Sequence, residues 1–411
     1  MNKINFALFL LAVFFATSFA TIKAEIKPKK NLLDIQILKT LKLSNGMYIE
    51  RFKLLSGFDN GIKGNKTGYI DFFEDKMFIL SARGILAFKK NLTNVAEKNF
   101  KLIENNISNF INLAQFNKSN SASVKDMLIF KNFIFISYTN EVKENCWNTS
   151  VIYGVVNLKK IKFKKIFSPE ECVYLNSKVS YYTGQAGGRI VKFDESHILL
   201  SIGEYRSRLR AQDTKSLNGK VVKININNYG YEIISMGHRN PQGLYFDEEN
   251  NFILETEHGP LGGDEINLIE VDTLNRDKIQ NYGWPIVSAG EHYGGKNAKH
   301  NKEAYKSAPL YKSHTKYGFV EPLRSFVPSI APSEILKIRK NKYVVGTMGK
   351  DGASENEGHK SLIFFELINR KKIINLEIVK VFERVRDLKF HDGKLYLFME
   401  STGQVGIINL K

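Results

Sequence analysis

GRIVKFDESHILLSIG, residues 188–203, is the stretch that decides the predicted fold. A mostly apolar run at Ile190–Phe193 is followed by the polar turn Asp194–Ser196, and a second apolar run starts at Ile198. Short runs rich in β-branched and aromatic residues, separated by a polar turn, are typical of a β-hairpin. Few stretches show the period of an amphipathic helix, so the sequence predicts an all-β fold.

This hairpin is one copy of a repeat. Six such hairpins begin at Gly68, Lys125, Gly188, Gln242, Ser333 and Arg386, and each is followed by a further strand candidate. Six units of three or four antiparallel strands predict a six-bladed β-propeller. The alternative, a large β-sandwich, does not explain why the six hairpins look alike.

The two ends of the chain are expected to meet in one unit. The last unit ends at VGIINLK, residues 405–411, with no fourth strand behind it. We therefore expect the segment Met47–Leu55 to supply that strand and to close the ring. Closure removes open sheet edges, which are a liability in an all-β protein.

The N-terminus has the pattern of a secretory signal peptide. An apolar run at Ile4–Phe15 follows a positively charged start, and Ser18–Ala20 or Ala24 offers a cleavage site among small residues. The sequence predicts a signal peptide at residues 1–24 and a single propeller domain at residues 25–411. The mature protein is expected to be secreted or periplasmic, without a membrane span; an uncleaved anchor is the alternative.

The chain has two cysteines, Cys146 and Cys172. In an exported protein such a pair can form a disulfide across a loop, but the sequence alone does not decide whether these two pair. Neither belongs to a C-x-x-C pair or lies near a histidine cluster, which argues against a zinc or redox role.

The net charge of +18 suggests an anionic partner at first sight. The basic residues are spread along the chain, and no nucleic-acid-binding motif accompanies them, so no nucleic-acid partner is expected. The charged fraction of 25% and the aromatic fraction of 12% indicate a globular protein.

Polar, glycine-rich loops precede the innermost strands of the predicted blades, and these loops should meet around the central channel. Several arginines facing one pocket would suit a ligand with several carboxylates. The alternative is that they pair with acidic neighbours such as Asp387 and Glu383. The residues expected to converge are Gln185, Arg189, Arg239, Asn240, Gln242, Ser329, Arg384 and Arg386.

The long insertion after the fourth hairpin begins ETEHGPLGGDEINLI (255–269) and continues NYGWPIVSAGEHYGG (281–295). Acidic side chains beside Gly and Pro kinks can supply the hard oxygen ligands that calcium prefers. The alternative is a turn-rich loop held by hydrogen bonds from Asp264 and Glu265.

Five motifs carry a resemblance to a known family. They are GHRNPQGL (237–244), EHGPLGGDEINLI (257–269), NYGWPIVSAGEHY (281–293), PSIAPS (328–333) and RVRDLKF (384–390). In this order they resemble the soluble quinoprotein glucose dehydrogenase and aldose sugar dehydrogenase family. The resemblance implies a six-bladed propeller that binds pyrroloquinoline quinone (PQQ) and calcium and oxidises sugars at the anomeric carbon. It implies a small sugar or alcohol substrate and an electron acceptor that the sequence does not identify.

The resemblance also implies roles for particular residues. Those expected to contact the quinone are Arg239, Asn240, Gln242, Lys360, Arg384 and Arg386. Gly259 and Pro260 would offer carbonyl oxygens to the calcium beside PQQ, and Glu265 would bind a second calcium with the carbonyls of Tyr282 and Ser288. In the family a histidine is the general base and an arginine stabilises developing negative charge; the corresponding catalytic positions here are Gln185 and Arg239.

Two positions depart from the family pattern. Gln185 stands where the family has the basic histidine, and Val327 stands where it often has an aromatic residue. Glutamine cannot accept a proton at neutral pH, and losing a general base typically costs about 10²–10⁴-fold in rate. His238 and His258 are the other histidines near the site, although a histidine in such a loop more often bonds to the backbone.

The sequence therefore predicts a sugar dehydrogenase-like oxidoreductase with weakened activity. One alternative is a propeller that binds a ligand or partner without catalysis. Another is a calcium-dependent hydrolase on the same architecture, because many chemistries share the propeller fold.

Overall fold

The computed structural model describes residues 32–58, 66–90, 99–118, 121–174, 184–273, 279–299, 301–349 and 358–410. The expected signal peptide, residues 1–24, lies outside the described residues. In the described ranges no helix is long and apolar enough to cross a membrane. These ranges consist mainly of β-strands, with short α-helices at Leu113–Lys118 (α1) and Asn301–Ser307 (α2), so the all-β prediction is confirmed.

The strands are numbered in chain order. They are β1 (Leu32–Lys42), β2 (Tyr48–Leu54), β3 (Gly68–Phe73), β4 (Lys76–Ser81), β5 (Leu86–Lys89), β6 (Asn99–Asn105), β7 (Val124–Phe130), β8 (Phe133–Lys143), β9 (Cys146–Val155), β10 (Lys160–Ile161), β11 (Lys164–Phe167), β12 (Val173–Tyr174), β13 (Gly187–Lys192), β14 (His197–Ile202), β15 (Lys220–Asn225), β16 (Tyr231–Met236), β17 (Pro241–Asp247), β18 (Phe252–Glu257), β19 (Asp264–Glu270), β20 (Gln280–Asn281), β21 (Arg324–Phe326), β22 (Pro332–Arg339), β23 (Lys342–Thr347), β24 (Ser361–Ile368), β25 (Lys372–Lys380), β26 (Val385–His391), β27 (Lys394–Met399) and β28 (Gln404–Asn409). Short 3₁₀ turns lie at Ile107–Asn109, Arg208–Gln212, Val271–Thr273 and Thr315–Tyr317.

The strands form repeated antiparallel units, each of which begins with one of the predicted hairpins. The units are β3-β4-β5-β6, β7-β8-β9-β11, β13-β14-β15-β16, β17-β18-β19-β21, β22-β23-β24-β25 and β26-β27-β28-β2. The first strand of each unit contacts the first strand of the next, and β26 contacts β3. Each hairpin starts within one residue of its predicted position, because the apolar runs and the polar turns fix its register.

The N-terminal strand β2 completes the last unit, as the segment Met47–Leu55 predicts. It pairs antiparallel with β28 from Ile49 opposite Ile408 to Lys53 opposite Gln404. Strand β1, which the sequence analysis did not anticipate, pairs with both β2 and β6 and so joins the last unit to the first. The open edge expected at the end of the chain is therefore covered by the start of the same chain.

Apolar side chains fill the spaces between neighbouring units. Between the second and third units, for example, Phe135 and Val151 pack with Ile198 and Leu200 in one buried cluster. Cys146 at the start of β9 and Cys172 beside β12 form a disulfide, with their Cα atoms 5.4 Å apart. The core is thus a set of layers between sheets, and the first strands are left to meet around the centre.

Carboxylates tie the first strands to one another near the centre. Asp71 Oδ2 accepts the backbone N–H of Ile129 at 2.6 Å, and Asp126 Oδ2 accepts that of Ile190 at 2.9 Å. Asp387 Oδ2 accepts the N–H of Ile70 at 2.8 Å, which links the last unit to the first. Each carboxylate satisfies a backbone donor of a neighbouring strand that would otherwise be buried without a partner.

Arg189 is the counter-charge of this network. Its Nη1 atom lies 2.9 Å from Asp126 Oδ1, 2.8 Å from Glu334 Oε2 and 2.8 Å from Asp387 Oδ1, and its side chain is 3% exposed. The expectation that Arg189 faces a ligand is therefore wrong. Its guanidinium is occupied by three carboxylates from three different units, so for this arginine the alternative of acidic partners holds.

Replacing Arg189 with Met should lower the free energy of unfolding by about 3–5 kcal/mol, because it leaves buried carboxylates without their counter-charge. Urea denaturation followed by circular dichroism measures this change. Lys160→Met is the matched control: it removes an exposed lysine paired with Glu104 and should cost less than about 1 kcal/mol. Equal, small losses in both variants would contradict the role assigned to Arg189.

Candidate functional site

A cavity of about 240 Å³ opens where the loops before the first strands meet. Five of the residues predicted to converge line it: Gln185, Asn240, Gln242, Arg384 and Arg386. Tyr69, Lys125 and His258 line it as well. The structure therefore brings together residues that are far apart in the chain, in the pattern that the repeat predicted.

Other predicted site residues lie beside or away from this cavity. Arg239 Nη1 donates to the carbonyl of His258 at 2.7 Å, and its guanidinium lies 5.3 Å from the centre of the Trp284 ring. Ser329 Oγ donates to the carbonyl of Pro260 at 3.2 Å. Lys360 lies just before β24, where its carbonyl accepts the N–H groups of Val381 and Phe382, outside the residues that line the cavity.

Arg384 and Arg386 share the buried carboxylate of Glu400. Arg384 Nε lies 3.3 Å from Glu400 Oε1, and Arg386 Nε donates to Glu400 Oε2. Burial alone would raise the pKa of Glu400, but the charges of Arg386 and Arg384 outweigh it and lower that pKa to about 2. The acidic partner of these arginines is thus Glu400, not Asp387 or Glu383, and one carboxylate serves two guanidinium groups.

Lys125 adds a further nitrogen donor that the sequence analysis missed. Its Nζ donates to the carbonyl of Ser121 at 2.6 Å. Burial, and secondly the charge of Arg386, lower the pKa of Lys125 to about 7. Lys125 is the first residue of its predicted hairpin, as Gln242 and Arg386 are of theirs. An alignment of the repeats would therefore have placed Lys125 at the cavity.

Gln185 is held between a carboxylate and a guanidinium. With its amide oxygen turned toward Arg239, that oxygen accepts from Arg239 Nη2 at 2.7 Å, and the amide nitrogen donates to Glu204. The backbone of Gln185 runs close to Gly203. A Cβ atom on residue 203 would lie 1.9 Å from the carbonyl oxygen of Gln185. The close contact between these two segments therefore requires glycine at position 203.

Glu204 is the second residue that the sequence analysis did not single out. It is completely buried, and its Oε2 atom has no hydrogen-bond partner among the described residues. Burial raises the pKa of Glu204 to about 7, although the charge of Arg239 opposes the shift. Glu204 is therefore a group beside Gln185 that can exchange a proton near neutral pH.

His258 is an unsuitable base. Its Nε2 donates to the carbonyl of Pro332 at 2.8 Å, and its Nδ1 accepts from the Asn240 amide at 3.3 Å. Burial lowers the pKa of His258 to about 3, so the ring is neutral and both nitrogens are engaged. The simpler interpretation of this histidine, a bond to the backbone, agrees with these contacts.

Asp264 organises the glycine-rich loop of residues 258–265. Its carboxylate accepts the backbone N–H groups of Gly259 at 2.8 Å, Ile330 at 2.8 Å and Ala331 at 2.7 Å. Burial raises the pKa of Asp264 to about 6, against the effect of these hydrogen bonds. The alternative interpretation of this loop, that hydrogen bonds from Asp264 hold it, therefore agrees with the structure.

Two of the three residues expected around a second calcium, Glu265 and Ser288, already have other contacts at the atoms expected to bind it. Glu265 is buried, with one oxygen 3.5 Å from His314 Nε2. The Tyr282 hydroxyl donates to the carbonyl of Leu268 at 2.6 Å, but the atom expected to bind calcium is the backbone carbonyl of Tyr282. The Ser288 carbonyl accepts from Lys312 Nζ at 3.3 Å, so an ammonium group lies where this oxygen points.

The sequence model of the glucose/sorbosone dehydrogenase family matches residues 124–408, and the chain belongs to this family. The match confirms the resemblance read from the sequence motifs. It spans the second to the sixth strand units and includes the cavity residues from Lys125 to Arg386.

Two curated relatives match parts of the chain. Aldose sugar dehydrogenase YliI of Escherichia coli K12 is 34% identical over 179 residues, which is 39% of this chain and 44% of that protein. Quinoprotein glucose dehydrogenase B of Acinetobacter calcoaceticus is 35% identical over 113 residues, 24% of this chain and 22% of that one. The chain thus aligns with less than half the length of each of these relatives.

A solved structure shows the same fold over most of the chain. The PQQ-bound form of aldose sugar dehydrogenase from Streptomyces coelicolor superposes with a TM-score of 0.60 at 15% identity, over 92% of this chain and 98% of that one. At this identity the likeness concerns the fold. It supports a β-propeller architecture in place of the sandwich alternative.

Because only an unprotonated amine is nucleophilic, Lys125 should react with trace acetic anhydride at a rate that reaches half its maximum near pH 7. A lysine peptide in the same tube serves as the reference, with its ordinary pKa of about 10.4. Mass spectrometry of digested protein gives both rates. Arg386→Met should move the Lys125 midpoint upward, and a wild-type midpoint above pH 9 would contradict the described environment.

Proposed function

We propose that the protein is a secreted, PQQ- and calcium-dependent sugar (aldose) dehydrogenase-like oxidoreductase. The six strand units would be the blades of a six-bladed propeller formed by residues 25–411, after removal of a signal peptide at residues 1–24. The observation that carries the proposal is the cavity, in which basic groups from Arg384, Arg386 and Lys125 face the same space as the amides of Asn240 and Gln242.

The donor set of the cavity fits PQQ, a planar tricarboxylate. Guanidinium groups bind carboxylates through paired hydrogen bonds, and amides can bond to carbonyl edges. Arg386 Nη1 also donates to Gln242 Oε1 at 3.2 Å, so arginine and amide are already oriented toward one another. The Glu400 carboxylate offsets part of the positive charge. It accepts from Nε and Nη2 of Arg384 and from Nε of Arg386, while Arg386 Nη1 is directed at Gln242.

The residues proposed for calcium fit unequally. Gly259 and Pro260 lie in the loop that Asp264 fixes, and their carbonyls are the ones we propose for the ion beside PQQ. Glu265 and Ser288 fit a second calcium less well, because Lys312 already donates to the Ser288 carbonyl and Glu265 faces His314. The Tyr282 carbonyl stays a proposed ligand. Lys360 stays a proposed quinone contact from the family pattern alone.

Arg384, Arg386, Asn240 and Gln242 would hold PQQ, which would supply an acceptor for the hydride removed from the anomeric carbon of the sugar. Gln185 and Arg239 would orient the substrate hydroxyl, and Arg239 would stabilise negative charge. Gln185 cannot take up the hydroxyl proton. Glu204 accepts a hydrogen bond from the Gln185 amide, and its pKa is raised to about 7. Because Gln185 lines the cavity and Glu204 does not, we expect Glu204 to be a poorer base for the substrate than a histidine at position 185 would be.

Binding of PQQ to the mature protein in calcium, followed by quinone absorbance, tests the proposal. Saturable binding is expected. Arg386→Gln should weaken it about 10–100-fold, because a charge-assisted hydrogen bond contributes about 1.5–3 kcal/mol. Arg324→Gln, an exposed arginine on β21, is the matched control and should bind as the wild type does. Absence of saturable binding at tens of micromolar PQQ would refute the quinoprotein assignment.

Gln185→His should restore a base next to Glu204 and raise PQQ-dependent dye reduction with aldoses by about 10²-fold or more. Adding Glu204→Gln to Gln185→His should remove at least about tenfold of that gain, because the imidazole loses the carboxylate that orients it. Gln36→His places the same residue at an exposed position on β1 and should change nothing. Unchanged dye reduction in Gln185→His, with PQQ bound, would sink the account of the missing base.

A further inference from the structure

A second polar cluster lies in the interior, behind the loops that line the cavity. One nitrogen of His238 and one carboxylate oxygen each from Glu255 and Glu257 lie within 4.8 Å of one another, and all three residues are buried. Glu255 and Glu257 alternate with Thr256 along β18, so both project from the same face of the strand. Opposite them on β19, Asn267 pairs with Glu255 and Glu265 pairs with Glu257.

The imidazole of His238 is held with one nitrogen directed at this cluster. Its Nε2 bonds to Ser235 Oγ at 2.8 Å, and the ring stacks on Tyr282 at 4.8 Å between centres. Its Nδ1 lies 3.5 Å from Glu257 Oε1 and 3.8 Å from Glu255 Oε2 and has no hydrogen-bond partner among the described residues. A buried nitrogen without a partner is costly unless something absent from the protein chain binds it.

The acidic side of the cluster is also incompletely satisfied. The single amide nitrogen of Asn267 lies 3.0 Å from Glu255 Oε2, 3.2 Å from Glu257 Oε1 and 3.4 Å from Glu265 Oε2. Glu255 Oε1 and Asn267 Oδ1 have no hydrogen-bond partners in the described part of the chain. Glu265 also faces His314, and Glu257 also accepts the backbone N–H of Arg239. Glu255 has the Asn267 amide as its one hydrogen-bond donor among the described residues, and a divalent cation would compensate this buried carboxylate.

We propose that His238 Nδ1 and the carboxylates of Glu255 and Glu257 form a binding site for a divalent first-row transition metal ion. One imidazole nitrogen with carboxylate oxygens suits zinc, manganese or iron better than calcium, which prefers oxygen ligands alone. Ser235 would hold the imidazole from behind, as outer partners of metal-binding histidines do. Rotation of the Asn267 amide would turn its oxygen toward the ion as a further donor.

The position of the site gives the ion a structural role. His238 directly precedes Arg239, and Glu257 directly precedes His258. Glu257 Oε2 also accepts the backbone N–H of Arg239 at 2.5 Å. A metal ion bound between residues 238 and 257 would therefore fix the two loops that meet at the cavity, whether or not a cofactor occupies that cavity.

The test uses the full mature chain without PQQ. After dialysis against a chelator, Co²⁺ is added as a spectroscopic probe, and Zn²⁺ and Mn²⁺ are added separately. One equivalent of Co²⁺ should bind with a visible absorption band and raise the thermal midpoint. Glu255→Gln should weaken Co²⁺ binding at least about tenfold, since it removes a charged ligand. Glu249→Gln, which changes an exposed carboxylate outside the cluster, should bind Co²⁺ normally.

Three results would overturn the proposal. The first is wild-type protein that neither binds Co²⁺, Zn²⁺ or Mn²⁺ at a stoichiometric level nor changes its thermal midpoint when they are added. The second is Co²⁺ binding that Glu255→Gln leaves unchanged, which would place the ion elsewhere. The third is protein that keeps calcium and none of the three transition metal ions after dialysis, with a calcium content that Glu255→Gln does not change. Wild-type protein that binds none of the three ions overturns the proposal whether or not the variant folds.

Discussion

The contact of Arg189 with three carboxylates is the interaction on which the rest of the structure depends. Buried charges are costly to desolvate, and this cost is offset only when the pairing is close and the remaining atoms are hydrogen-bonded. Here Arg189 meets Asp126, Glu334 and Asp387 from three different units. The same guanidinium donates through Nε to the carbonyl of Gln242 at 3.0 Å and through Nη2 to that of Arg386 at 3.3 Å. The network at the centre therefore also fixes the backbone of two residues that line the cavity.

The hydrogen-bonded network around Arg189 explains how the cavity can hold the like charges of Arg384 and Arg386 together with the opposite charge of Glu400. Arg384 and Arg386 would repel one another without Glu400, and burial together with the charge of Arg386 lowers the pKa of Lys125. The result is a preorganised, predominantly basic surface that need not rearrange to meet an anion. The corner at Gln185 differs, because an amide replaces an ionisable side chain and the proton-holding group, Glu204, lies behind it.

The sequence predicted the strand units well because hairpin register follows from apolar runs and turns alone. It also predicted the pairing of Met47–Leu55 with the last strand, since a closed ring leaves no other edge to fill. The expectation that Arg189 faces a ligand was wrong, although the alternative that named Asp387 as an acidic partner holds for it. Its partner Asp126 lies 63 residues away, where no local pattern operates, and was not anticipated.

Some of the residues that the sequence analysis missed follow a local pattern, and one does not. Lys125 could have been found by aligning the repeats, and the acidic pair Glu255 and Glu257 could have been recognised as two charges on one face of an apolar strand. Glu204 could not, because its importance depends on the burial and the contact with Gln185 that only the folded chain provides. For Arg384 and Arg386 the alternative was right that an acidic residue pairs with them, but that residue is Glu400, which directly follows β27.

A crystal structure of the full mature chain grown with PQQ and calcium tests the central claim most directly. The account predicts density for a planar tricarboxylate in the cavity, with carboxylate oxygens against Arg384 or Arg386 and amide contacts from Asn240 or Gln242. Arg189 should stay in contact with its three carboxylates. A cavity without PQQ at saturating concentration, or PQQ bound away from these residues, would contradict it.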